Sequence, residues 1–143
     1  MRARNVAMTL ALGAALLAGG LPVANAADTT ELPLCATVPH RSVPVHIESP
    51  GQWSYDHYLI WCGHDGRIDW TVPVVTNKIP EGSNCEWREN QESQTRDGDY
   101  VHGFAMSEFS CGKDDEPGYE VHPWSIVGVQ PDGRSWVVAK GID

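Results

Sequence analysis

A chain of 143 residues with 10 lysines and arginines against 19 acids carries a net charge of −9, with 8% aromatic residues. That field opposes nucleic acid and anionic membrane surfaces, because phosphate binding needs Lys and Arg. No stretch reads as a membrane-spanning segment, which needs about 20 consecutive apolar residues.

The chain opens on a leader pattern. Arg2 and Arg4 precede an Ala/Leu/Gly-rich run from Val6 to Leu21, and Ala24-Asn25-Ala26 has the A-x-A form of a cleavage site. A secretory signal peptide over 1–26, cleaved after Ala26, is the expectation. Its removal takes away two arginines and no acid, leaving 8 basic against 19 acidic residues and a net charge of −11 over residues 27–143. A remainder of that size is one domain, able to bury roughly 65% of its unfolded surface. It is expected to be extracellular and monomeric, and its charge suits solubility.

Cys35, Cys62, Cys85 and Cys111 all follow the leader. In an exported small domain four cysteines read as two disulfides. Of three pairings, Cys35–Cys62 and Cys85–Cys111 is favoured, because the cysteines divide two and two between the halves of the chain. Each closure stabilises by about 3 kcal/mol in the chain-entropy model. The C-x-x-C spacing of zinc and redox motifs is absent,.

Asp28 to Leu34 is a polar lead-in. Ser42 to Glu48 alternates Val43, Val45 and Ile47 against Pro44, His46 and Glu48, a half-buried strand that Pro44 pushes to a sheet edge,. Ser49-Pro50-Gly51 is a turn. Trp53 to Val75 is the clearest element: two apolar runs flank Asp65-Gly66, a pair that tolerates the positive φ of a tight hairpin turn,. With those two as the loop, His64 faces Arg67, Cys62 faces Asp69, Trp61 faces Trp70 and Leu59 faces Val72. Leu59, Trp61, Ile68, Trp70 and Val72 then share one face, and Tyr58, Ile60, Cys62, His64, Arg67, Asp69 and Thr71 the other.

Thr76 to Tyr100 has almost no apolar side chain beyond Ile79 and Trp87. It reads as a long surface loop held by Cys85, with a short helix over Cys85–Gln94 as the alternative from the Ser83/Glu86 capping-box spacing. Tyr100 to Ser107 returns to strand chemistry, with Val101 and Phe104 near Met106, and Phe109 and Cys111 end the run; Tyr119 to His122 is a short strand. Trp124–Val129 and Arg134–Lys140 flank Pro131-Asp132-Gly133, a type I turn followed by a left-handed glycine. That register sets Val127 opposite Val137 and Ile126 opposite Val138. The sum is an all-β fold, a small antiparallel sandwich or barrel of six to eight short strands stapled by two disulfides.

Three groups of residues carry candidate chemistry. Tyr58, His64, Arg67 and Asp69 project from one hairpin face, where an imidazole, an acid and a guanidinium could serve general acid–base catalysis. Trp53, Tyr55 and Trp87 fall at strand ends or loops, where exposed rings stack on sugars or anchor a protein partner; Trp61, Trp70 and Trp136 are expected in the core. Asp97 with Asp99, and Asp114 with Asp115, offer oxygen ligands for calcium. The six histidines show no compact metal-ligand spacing, no cofactor is expected, and no G-x-S-x-G elbow is present,.

The function expected from this pattern is a secreted, non-catalytic binding module for an extracellular protein or glycan, inhibition of an extracellular hydrolase being one form of it. A small secreted enzyme using the His/Asp/Arg face and a carbohydrate- or cell-wall-binding module are the alternatives.

Overall fold

The structure, a computed structural model, describes residues 32–112 and 118–143. The expected cleavage after Ala26 and the calcium candidates Asp114 and Asp115 lie outside the described residues. Leu32–Asp143 forms one compact unit of nine strands in two antiparallel sheets, more than the six to eight short ones expected and four of them 12 or 13 residues long, with no helix among the described residues. The strands are β1 His40–Arg41, β2 Val45–Ser49, β3 Trp53–His64, β4 Arg67–Lys78, β5 Cys85–Asp97, β6 Tyr100–Cys111, β7 Tyr119–Val121, β8 Pro123–Val129 and β9 Ser135–Ile142.

In the first sheet β3 is central. The β4 strand flanks one side, while β1 and β2 share the other, parted at Pro44, which cannot donate to a ladder,. Val43, expected on the buried face of that strand, is therefore exposed. In the second sheet the order is β5-β6-β8-β9, and the short β7 extends the β8 side of β6. The sheets pack face to face, β3 across β6 and β8 and β4 across β6, so the sandwich alternative holds,. Both disulfides have the expected pairing, Cys35–Cys62 and Cys85–Cys111.

Two expectations need correction. Residues 76–100 are mostly strand and contain no helix: β4 runs on to Lys78, a short connection spans 79–84, and β5 is a 13-residue edge strand paired with β6 along its length. Backbone pairing and the cross-strand Cys85–Cys111 bond hold it, so it needs no apolar face. Its charges suit an exposed edge, where they oppose pairing with another chain. The β3–β4 register also differs. Gly63 pairs with Ile68, but Cys62 pairs with Trp70 and Trp61 with Thr71, leaving Asp69 as a bulge. One extra residue reverses every later side chain. Thr71, Pro73, Val75 and Asn77 thus share the inner face with Trp61 and Leu59, and Trp70 and Val72 turn outward. A second bulge at Val138 sets Ile126 opposite Ala139, while Val127 faces Val137 as expected.

The core has two apolar clusters. One holds Val45, Leu59, Trp61, Ile68, Val101, Val127 and Val129; the other holds Trp53, Tyr55, Phe109 and the Cys85–Cys111 pair, with Trp53 stacked on Phe109 at 5.0 Å. Buried polar groups lie between them. Tyr55 donates its hydroxyl proton to Ala105 O at 2.9 Å, so its oxygen accepts from Ser125 Oγ at 3.1 Å, and Ser125 in turn accepts from His57 Nδ1 at 2.7 Å. The network thereby assigns the Nδ1–H tautomer of His57. Nε2 is left as a bare lone pair without a partner among the described residues.

His57 is fully enclosed, and burial pushes its imidazole pKa from the ordinary 6.5 down to about 4. The folded state then holds it neutral while the unfolded chain takes up a proton, so this group's contribution is lost as pH falls from 6.5 to 4. The wild type is expected to lose about 3 kcal/mol relative to His57→Gln across that window, read from urea unfolding at several pH values. A constant difference between the two proteins would contradict the assignment.

Candidate functional site

Three hairpin turns meet at one end of the sandwich. Asp65 and Gly66 both have positive φ, 49° and 74°, as a two-residue turn of this hand requires,. Between β5 and β6, Gly98 at φ 59° begins the two-residue turn Gly98-Asp99, in place of the long loop expected over Thr76 to Tyr100. Between β8 and β9 the turn closes through Gln130 N–H to Arg134 O at 2.9 Å, with Gly133 left-handed.

These turns are anchored to the sheets. Trp61 Nε1 donates to Gln130 O at 2.8 Å, and the His40 ring packs between Trp61 and Gly133. Gly63 lies so close to Pro131 that an added Cβ would sit 2.3 Å from the Pro131 carbonyl oxygen. Arg96 Nη2 donates to Ile68 O at 2.9 Å, tying the end of β5 to that of β4.

Together the turns enclose a groove of about 370 Å³ lined by Asp65, Asp99, Tyr100, Gln130, Asp132 and Arg134 among others. It continues past Ser135 to Trp136 on the outer face of the second sheet. Tyr100 and Trp136 meet edge to face at 5.8 Å and are 42% and 38% exposed. The Trp136 ring rests on the bare backbone of Gly128, its cross-strand partner, which holds the ring in place without covering its outer side.

The groove is acidic. Asp132 accepts from the Arg134 backbone N–H and from Arg134 Nε at 2.7 Å, and these bonds hold its carboxyl below the usual range. The one guanidinium in the lining is thus neutralised. Asp65 is almost fully exposed, with His64 Nε2 at 3.8 Å, and no cation pairs with Asp99 among the described residues.

The four acid–base candidates of the sequence reading divide. His64 Nδ1 lies 2.8 Å from Asp69 Oδ2 and Arg67 Nε 3.1 Å from Asp69 Oδ1, so three members come together with each oxygen of Asp69 facing one base. Tyr58 lies apart, on the outer face of the first sheet beneath the Arg41 guanidinium at 3.9 Å. The Ser125–His57 pair has the contact of a nucleophile and base, but both residues are fully buried and the serine proton points to Tyr55.

The aromatic expectation is corrected. Trp53 and Tyr55 are 3% and 0% exposed, because both face the opposing sheet, so the three rings form no exposed row. Trp87 is 47% exposed, as expected; it lines a separate groove on the β4–β5 flank with Val75, Asn77, Ile79 and Asn90. Trp136, expected in the core, is half exposed. The signal that could have found it is Gly128: the hairpin register already set Trp136 opposite a residue with no side chain. Of the calcium candidates, Asp99 lines the acidic groove and Asp97 lies exposed at the end of β5.

If the contact between Gly63 and Pro131 sets the groove, Gly63→Ala is expected to displace the β8–β9 turn and destabilise the fold by about 1–3 kcal/mol, the range for overpacking. Chemical denaturation gives the stability and the Trp61 indole N–H resonance, bonded to Gln130 O, reports the displaced turn; an unchanged midpoint and resonance would refute it.

The chain matches no protein-family model, no curated protein and no solved structure, so its function is argued from this geometry.

Proposed function

We propose that the protein is an exported, non-catalytic binding module that holds a cationic segment of an extracellular protein partner in the groove between its hairpin tips. The observation that carries this reading is the union of Asp65 and Asp99 with the exposed rings of Tyr100 and Trp136 in one recess whose single guanidinium is already paired with Asp132. Lys and Arg side chains are attracted both by unpaired carboxylates and by the faces of Tyr and Trp rings. Aromatic anchors on few rotatable bonds lose little entropy on binding, and short turns pinned to a sandwich need little further ordering. The overall negative charge would speed the approach of a basic partner. Export is supported by the leader pattern and by two disulfides, which persist in oxidising compartments,.

A glycan-binding reading rests on a different observation. In the flank groove the exposed Trp87 ring lies beside the amides of Asn77 and Asn90, a ring-and-amide arrangement suited to a sugar,.

The test is binding of immobilised peptide pools, Lys/Arg-rich against Glu/Asp-rich, at low and physiological salt. Basic peptides are expected to be retained, less so as salt rises. Trp136→Ala and the pair Asp65→Asn with Asp99→Asn should each weaken binding about tenfold, roughly 1.4 kcal/mol. Equal retention of acidic peptides, or full binding by Trp136→Ala with unchanged circular dichroism, would sink the proposal. Loss of glycan binding on Trp87→Ala alone would favour the second reading.

A further inference from the structure

The outer face of the second sheet carries a different constellation far from the hairpin tips. Along β6 the outward positions run from Tyr100 at the tip end to Glu108, a separation of about 26 Å at the rise of an extended strand,. On the neighbouring strand line, Phe109 pairs with Val121 and Met106 with Trp124, so Glu108 stands opposite His122 at the joint between β7 and β8. Ser110 pairs with Glu120, which brings that carboxylate to the same face. The backbone of His122 is held at the joint by two hydrogen bonds with Asp143, at 2.9 and 3.2 Å.

One imidazole nitrogen and one oxygen from each of the two glutamates lie within 4.8 Å of one another. His122 Nε2 and Glu108 Oε2 are 3.7 Å apart, with about three quarters of each side chain covered. That separation is longer than a hydrogen bond. It is close to the ~3.4 Å that a tetrahedral ion with bonds of about 2.1 Å imposes between two ligands. Two carboxylates beside one imidazole also leave a net negative charge even when the histidine is protonated. By register Glu89 adds a third carboxylate beside Glu108. The nearest arginine in sequence, Arg88, is engaged with Glu86 at 3.4 Å.

We infer that Glu108, Glu120 and His122 form a binding site for a zinc-like divalent cation. One nitrogen and two carboxylate oxygens suit a borderline first-row ion, whereas calcium and magnesium prefer oxygen throughout. Three protein ligands leave a fourth position for water or for an atom of a partner.

The contrast with His46 sharpens the choice. Its two ring nitrogens are already engaged, Nδ1 with Asp56 at 2.8 Å and Nε2 with Glu48 at 3.5 Å, and the bond to Asp56 raises its pKa. A metal there would have to displace Asp56 from the imidazole.

The test is thermal unfolding of the exported protein with zinc chloride, with calcium chloride and with a chelator, alongside calorimetric titration of zinc. Zinc at a hundredfold excess over its Kd is expected to raise Tm on the order of 10 °C. Calcium should not reproduce that shift. His122→Ala and Glu108→Gln should abolish it, and His46→Ala should keep it. Because a variant could fold poorly, the His122 imidazole resonances of the wild type are followed as well, and they should move on zinc addition while those of His46 do not. No zinc-dependent shift in the wild type, a shift that survives His122→Ala, or a response to calcium alone would overturn the site.

Discussion

The structure depends on a line of hydrogen bonds that crosses the sandwich from His57 through Ser125 and Tyr55 to the Ala105 carbonyl. It joins β3 of one sheet to β8 and β6 of the other. Each hydroxyl both donates and accepts, so the line has one direction, and bonds in such a chain polarise one another in a dry interior. Apolar packing tolerates small slips of one sheet over the other, whereas a buried polar group left without its partner costs about 1–3 kcal/mol. The line therefore sets the relative placement of the sheets more sharply than the clusters on either side. Its uncompensated point is Nε2 of His57, which makes this histidine unfavourable to protonate in the folded state.

With the sheets so placed, the hairpin tips converge at one end. The bulge at Asp69 and the close approach of Gly63 to Pro131 are the local means. At the end of the same hairpin His64 Nδ1 and Arg67 Nε each lie beside one oxygen of Asp69. The missing side chain at Gly63 admits the β8–β9 turn, and Trp61 bonds it from below. A rigid acidic recess edged by two rings results from backbone geometry that no local stretch of sequence contains.

Polar side chains also close the flank where the two edge strands β4 and β5 face each other. Gln94 bonds Thr71, Arg96 bonds the Ile68 carbonyl, and Asn90 bonds Asn77 and Ser107. These contacts explain how a strand as hydrophilic as β5 belongs to the fold. It contributes backbone pairing to β6 and a row of amide and guanidinium contacts to β4, while the apolar burial is supplied by other strands. Glu92, between Asn90 and Gln94 on the same side of β5, has its carboxyl pKa raised by partial burial.

Short-range chemistry was readable from residue order. Asp65-Gly66 and Pro131-Asp132-Gly133 require backbone conformations that few other residues accept, so both hairpins could be placed, and four cysteines split between two halves of the chain gave the right pairing. Three things escaped. The β5 strand carries polar groups on both faces, so no periodicity marks it. The parity of β4 hinges on one bulged residue, which also moved Trp70 outward, and a bulge is settled by the turn packed against Gly63. Whether an aromatic is core or surface depends on the opposing sheet: Tyr55 and Trp53 meet one and Trp136 does not. The acidic groove and the Glu108–Glu120–His122 patch unite residues from distant strands. By itself the sequence determined the turns, the cross-links and the sheet class, because these follow from local dihedral preference and covalent chemistry. Only the tertiary structure decided which side chains share a face and a recess, because that depends on register and on sheet against sheet, which are interactions between residues far apart in the chain.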